Sequence, residues 1–196
     1  MSAEPKRISD RVSFKRTDDE LTVIITQQTT PLYLTLMILW TALWVFVGVV
    51  FIYNWQTTAD QNERFFYAVC SAFWAYFLVK GGKVVAWRLY GKEMLRVFET
   101  ELSIKNAFGT YGKAQFYATE NIQKFGTITY DSTKFFQFME RAPWIMGGET
   151  IGFQYLRKRI QFGKQLDDKE AKELARIIDK ALREIPARTK KKLADN

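Results

Sequence analysis

Histidine is missing from this chain of 196 residues, and cysteine occurs once, as Cys70. A zinc site draws on several Cys or His ligands and a disulfide needs two thiols, so neither can be assembled from this chain alone. No imidazole is present to activate the lone thiol, and its position in an apolar run argues further against a nucleophile. Phosphate-loop signatures are missing as well. GGK at 81–83, FGTYGK at 108–113 and MGGET at 146–150 contain neither GxxxxGK[ST] nor GxGxxG, and read as turns. A cleaved secretory signal is not evident. Residues 1–30 mix acids with bases, and the first apolar run begins too late and continues too long for one. The N-terminus is therefore expected to stay on the mature protein.

Charge is absent from two long stretches. Leu32 to Tyr53 has no charged residue, and as a helix this run reaches roughly 33 Å, close to the hydrocarbon thickness of a bilayer. Phe65 to Val79 is also uncharged but reaches only about 22 Å, so its crossing requires Arg64, Lys80 and Lys83 to extend toward headgroups. The short connection at 54–63 forces an antiparallel helical hairpin. Trp55 and Trp87 suit the interfaces, whereas Trp40, Trp44 and Trp74 lie deeper, where they pack helix on helix or face lipid. Small residues such as Gly48 permit close approach. With no charge buried in either run, an ion or proton pathway made by this chain alone is disfavoured.

The net charge is +8, from 29 basic and 21 acidic residues. Much of the excess flanks the apolar runs, which points to membrane topology and contact with anionic phospholipid rather than to nucleic acid. Lys80, Lys83, Arg88 and Lys92 follow the second run, while the connection carries Asp60 and Glu63 against Arg64. Positive-inside counting puts the connection outside and both termini in the cytoplasm. Further basic groups occur at Arg157, Lys158 and Arg159 and at Lys190, Lys191 and Lys192. Together these ten residues form the candidate lipid-contact set.

From residue 91 the chain becomes a series of short β-prone runs separated by Gly, Asn and Asp: 93–99, 101–107, 113–118, 122–130, 134–140, 149–155 and 157–162. In the sixth run Ile151, Phe153 and Tyr155 alternate with Thr150, Gly152 and Gln154. Seven such runs with no intervening long helix predict an antiparallel sheet curled into a barrel or split barrel. A helix follows, capped by Asp167 with Glu170 at N3 as its capping-box partner. Ala171, Leu174, Ala175, Ile178, Leu182 and Ile185 share one face that must be buried, and Pro186 is expected to stop the helix. Asp167, Asp168 and Glu170 are better explained as a favourable helix start than as a magnesium cluster. Upstream, 11–16 and 20–27 read as a hairpin, either an added sheet edge or a small structure on the membrane surface.

The domain plan is thus a cytoplasmic segment at 1–30, a two-helix transmembrane hairpin at 31–90, a cytoplasmic domain at 91–186 and a basic tail at 187–196. The helical hairpin, then GKE at 91–93, the run from Gly148 through Tyr155, IQFG at 160–163 and LDDKEAKELARII at 166–178, resembles the small bacterial integral-membrane proteins that carry a pleckstrin-homology-like domain, the YcxB-like group and its relatives. The resemblance covers roughly residues 30–186. It implies an α+β membrane protein of the bacterial inner membrane, with a PH-like seven-strand antiparallel split barrel closed by a C-terminal capping helix. It brings no catalytic residue and no cofactor.

The run FFQFMERAPWIM at 135–146 holds more aromatic surface than one strand face can bury. Phe136, Trp144 and Ile145 are accordingly candidates for contact with lipid or another subunit. The sequence favours a noncatalytic, membrane-anchored interaction or assembly module, an accessory subunit of a larger membrane complex or a homo-oligomer. The alternative is a protein that binds or senses anionic lipid.

Overall fold

The structure, a computed structural model, describes residues 4–27, 29–128 and 147–194, with side chains through 187. The chain forms two compact units: Thr29–Leu89, and the segments on either side of it, Met1–Gln28 and Tyr90–Asn196.

The first unit holds two helices, α1 (Pro31–Thr57) and α2 (Gln61–Tyr90). Both are long and apolar enough to cross a membrane. Pro31 opens α1, where its missing N–H would have had no partner in any case. Asp60 caps α2, its carboxylate accepting the N–H groups of Asn62 at 2.7 Å and Glu63 at 3.1 Å. Polar side chains along α1 bond inward to their own helix: the Thr35 and Thr41 hydroxyls donate to the carbonyls of Pro31 and Met37. α2 runs unbroken through Gly81 and Gly82, extending well beyond its uncharged stretch. Between the helices, a Cβ added to Gly48 would fall inside the indole of Trp74, so glycine there is what lets the two backbones approach.

The second unit is α+β, with two antiparallel sheets and a helix among the described residues. β1 (Lys6–Arg7), β2 (Val12–Arg16), β3 (Leu21–Thr26), β4 (Gly91–Val97), β5 (Glu101–Phe108) and β6 (Ala114–Ala118) form one sheet in that order. β7 (Ile122–Thr127), β8 (Glu149–Tyr155) and β9 (Lys158–Lys164) form the other. The sheets do not close into one continuous barrel among the described residues, because a six-stranded and a three-stranded sheet stand separately. The run predicted at 134–140 lies outside the described residues.

The N-terminal hairpin is a sheet element rather than a separate surface structure. β3 pairs with β4 from Leu21↔Val97 to Thr26↔Lys92, so both α-helices are inserted between two neighbouring strands of one sheet. Its pattern explains the pairing: Leu21, Val23 and Ile25 alternate inward and are buried with Leu95 and Val97. A single apolar core joins these residues to Ile151, Phe153 and Phe162 of the smaller sheet and to the terminal helix.

That helix, α3 (Asp168–Ala194), begins as predicted: the Glu170 carboxylate accepts the Asp167 N–H at 3.1 Å. Ala171, Leu174, Ala175, Ile178 and Ile185 are buried along its core face, joined by Ala181, with Leu182 partly buried. Pro186 does not stop it. The helix continues to Ala194, and its buried Ile185 anchors the turn at which proline removes one main-chain bond. The expected tail from 187 is therefore largely helical in backbone.

Candidate functional site

A cleft of about 410 Å³ opens on the three-stranded sheet, and four of its lining residues are cations: Lys124, Arg157, Lys158 and Arg159. Among the described residues, no acidic residue lines it. Three of the four come from the β8–β9 hairpin, whose two-residue turn pairs Tyr155 with Lys158. Leu156, at the first turn position, has φ +53 and is 63% exposed. Glycine is the usual occupant of that backbone region, so an exposed leucine held there is unusual.

Lys124 reaches the cleft through a bulge in β7. The register with β8 shifts between Gln123 and Gly126, and Lys124 has φ +49. Beyond the bulge, Gly126 is paired with Gly152 across the strands. A Cβ added at Gly126 would meet nothing within 4 Å, so the cleft is open there, whereas one at Gly152 would meet the Ile160 carbonyl oxygen at 3.0 Å and the Ile128 side chain at 3.3 Å. None of the four cations is held in an ion pair among the described residues.

Of the residues singled out in the sequence, Arg157, Lys158 and Arg159 are brought together here. Lys80, Lys83 and Lys92 are exposed, and the Lys80 ammonium lies 5.6 Å from the Tyr76 ring centroid. Arg88, expected among the interfacial cations, is 5% exposed, and its neighbour Trp87 is 1% exposed. Lys190, Lys191 and Lys192 fall on the last turns of α3, and their side chains are outside the described residues, as are Phe136, Trp144 and Ile145 altogether. Lys124 was not singled out. An isolated glycine two residues later within a strand-like run is the signal of a bulge that would have drawn attention to it.

A second polar cluster lies inside the domain. Glu93 on β4 is 3% exposed; its carboxylate accepts the N–H groups of Gly163 at 2.9 Å and Lys164 at 3.0 Å on β9, and pairs with the Lys164 ammonium at 3.3 Å. Lys164 also donates to Asn106 Oδ1 at 3.3 Å. Gly163, at φ +74, turns two successive N–H groups toward one acceptor. With its oxygens engaged this way, Glu93 fastens one sheet to the other. Sequence carried a hint of it, since Glu93 shares the inward period of Leu95 and Val97.

Near the sheet junction the Tyr117 hydroxyl donates to Gln115 Oε1 at 2.6 Å, and its ring meets those of Phe153 and Tyr155 edge-on. Burial, and secondarily the nearby Tyr155 phenol, push the Tyr117 hydroxyl above its ordinary pKa. The group remains a neutral donor at physiological pH.

No family model matches the chain, and the comparisons with characterised proteins and with solved structures give no match either.

Proposed function

We propose that this is a noncatalytic, two-pass membrane protein. In this reading α1 and α2 are the anchor, and the remaining domain is a split barrel of the PH-like kind capped by α3. The domain serves as an interaction or assembly module, an accessory subunit in a larger membrane complex or a homo-oligomer.

The observation that carries the reading is the pairing of β3 with β4. Two strands hydrogen-bonded in one sheet must lie in one compartment, so the helices between them cross an even number of times or not at all. The outer surfaces of those helices favour crossing: Leu39, Phe46, Phe65 and Phe73 are each more than 60% exposed, far more contiguous apolar surface than water tolerates. Lys80, Lys83 and Lys92 then support a cytoplasmic domain with both termini inside, and the resemblance noted in the sequence implies the inner membrane of a bacterium. Aromatic surface on the domain supports the module role, since Tyr111 and Phe116, beside and on β6, are 87% and 60% exposed.

Cysteine accessibility tests the topology. In a Cys70→Ala background, a cysteine at Thr58 should react with an impermeant maleimide in intact cells, whereas cysteines at Asp18 and Lys113 should react only after permeabilisation. Reaction at Asp18 and Lys113 from opposite sides would defeat the proposal. Gentle extraction with crosslinking then asks whether a defined protein partner or a second copy is retained.

Contact with anionic lipid is the second reading. The cationic cleft on β7–β9 favours it.

A further inference from the structure

We propose that the cleft on β7–β9 is a binding site for the phosphate-bearing headgroup of an anionic lipid, with Lys124, Arg157, Lys158 and Arg159 as its cationic walls and Gly126 as the open position on its floor. The inference rests on the membrane anchorage argued above, because a tethered domain meets headgroups at high local concentration.

Charge selects the ligand class. Four cations line one concavity, with no acid among its described lining residues, an arrangement whose mutual repulsion a bound anion relieves. Two of the four are arginines, whose planar guanidinium forks match phosphate oxygens in pairs. Gly126 adds access: its position is open, so a bound group can approach the backbone directly there.

Size separates a headgroup from a free ion. Inorganic phosphate occupies the space of a few waters at about 30 Å³ each, and so would leave most of the 410 Å³ unfilled. Clefts of about 300–1,000 Å³ hold small organic ligands. Leu156 favours the lipid source over a soluble organic phosphate. It presents an apolar tip directly beside Arg157 and Lys158, the combination that lets one surface meet acyl chains and headgroups together.

Calorimetric titration of the full chain in a nonionic detergent, where binding does not depend on whether the helices span a bilayer, tests the site. The probes are dioctanoyl phosphatidic acid, dioctanoyl phosphatidylglycerol, dioctanoyl phosphatidylcholine, glycerol-3-phosphate and inorganic phosphate. The two anionic lipids should bind, with phosphatidylcholine, glycerol-3-phosphate and inorganic phosphate weaker by about tenfold or more. R157Q with R159Q should weaken the anionic lipids by about tenfold or more, and K124Q by about fivefold. G126L should block them by filling open space while leaving the thermal transition unchanged. K172Q with R176Q, an equal loss of charge on an exposed face of α3, should change affinity less than twofold. Equal binding of phosphatidylcholine, equal affinity for glycerol-3-phosphate or inorganic phosphate, undiminished binding by folded G126L, or an equal loss in the α3 control would each overturn the proposal. Labelling at Thr58, Asp18 and Lys113 reports separately on the anchorage, so failure of the site and failure of the topology are told apart.

Discussion

Trp44 on α1 and Trp74 on α2 exchange hydrogen bonds, each indole N–H donating to the main-chain carbonyl of the other residue, at 3.3 Å and 2.7 Å respectively. Each helix thereby satisfies the polar atom that its neighbour's largest side chain brings into an apolar setting. Gly48 makes room for the Trp74 ring, so the exchange and the close approach depend on one another.

The first prediction concerns that contact. Gly48→Leu should destabilise the helical hairpin by about 1–3 kcal/mol through overpacking, and Trp74→Phe by about 0.6 kcal/mol, the usual worth of such a bond between membrane helices. Unfolding in detergent mixtures of increasing denaturing strength measures both. A Gly48→Leu protein as stable as the parent would show that the helices do not meet at this point.

Glu93 is expected to be costly to neutralise. Glu93→Gln removes the partner of a nearly buried ammonium and should cost about 3 kcal/mol. Adding Lys164→Met to that variant should recover part of the loss, because it removes the stranded charge. Denaturant unfolding of the four proteins in the cycle gives the coupling, and simple additivity would mean that the pair does not act as a clamp.

Alkaline pH should weaken the domain through Tyr117. A phenol whose folded pKa lies above its unfolded value of 10.0 contributes fully below that value, and the contribution is lost as pH rises from there through the folded pKa. Thermal unfolding of the parent between about pH 9 and 11 should therefore fall more steeply than that of Tyr117→Phe. Parallel profiles would contradict the burial of this hydroxyl.

Ile178 is wholly buried on α3. Ile178→Asp places a carboxylate in the shared core and should cost at least about 4 kcal/mol, enough to release α3. Limited proteolysis reads the outcome as rapid cleavage within the domain, and resistance equal to the parent would oppose the packing.

Most local structure was legible. The run at 149–155 alternates so regularly that its predicted bounds coincide with β8, and Asp167 with Glu170 announced the start of α3. Long-range relations were harder. Nothing near Thr26 indicates that its partner lies beyond two helices, because register is set by tertiary burial of alternate residues. Pro186 misled because propensity describes an isolated helix, whereas packing around Ile185 carries this one past the missing bond. Of the cationic cleft, Arg157, Lys158 and Arg159 were visible as a run, but Lys124 joins them only through a backbone bulge.

The insertion of α1 and α2 between β3 and β4 also dictates an order of events during synthesis. β2 and β3 leave the ribosome before either helix exists, and β3 then waits with an unpaired edge until β4 has been made. An open strand edge is prone to wrong partners for as long as it stays open. Maturation of the domain is thus coupled to the emergence of the helices, and a pause in translation within α2 would lengthen the interval in which the nascent chain is most prone to aggregate.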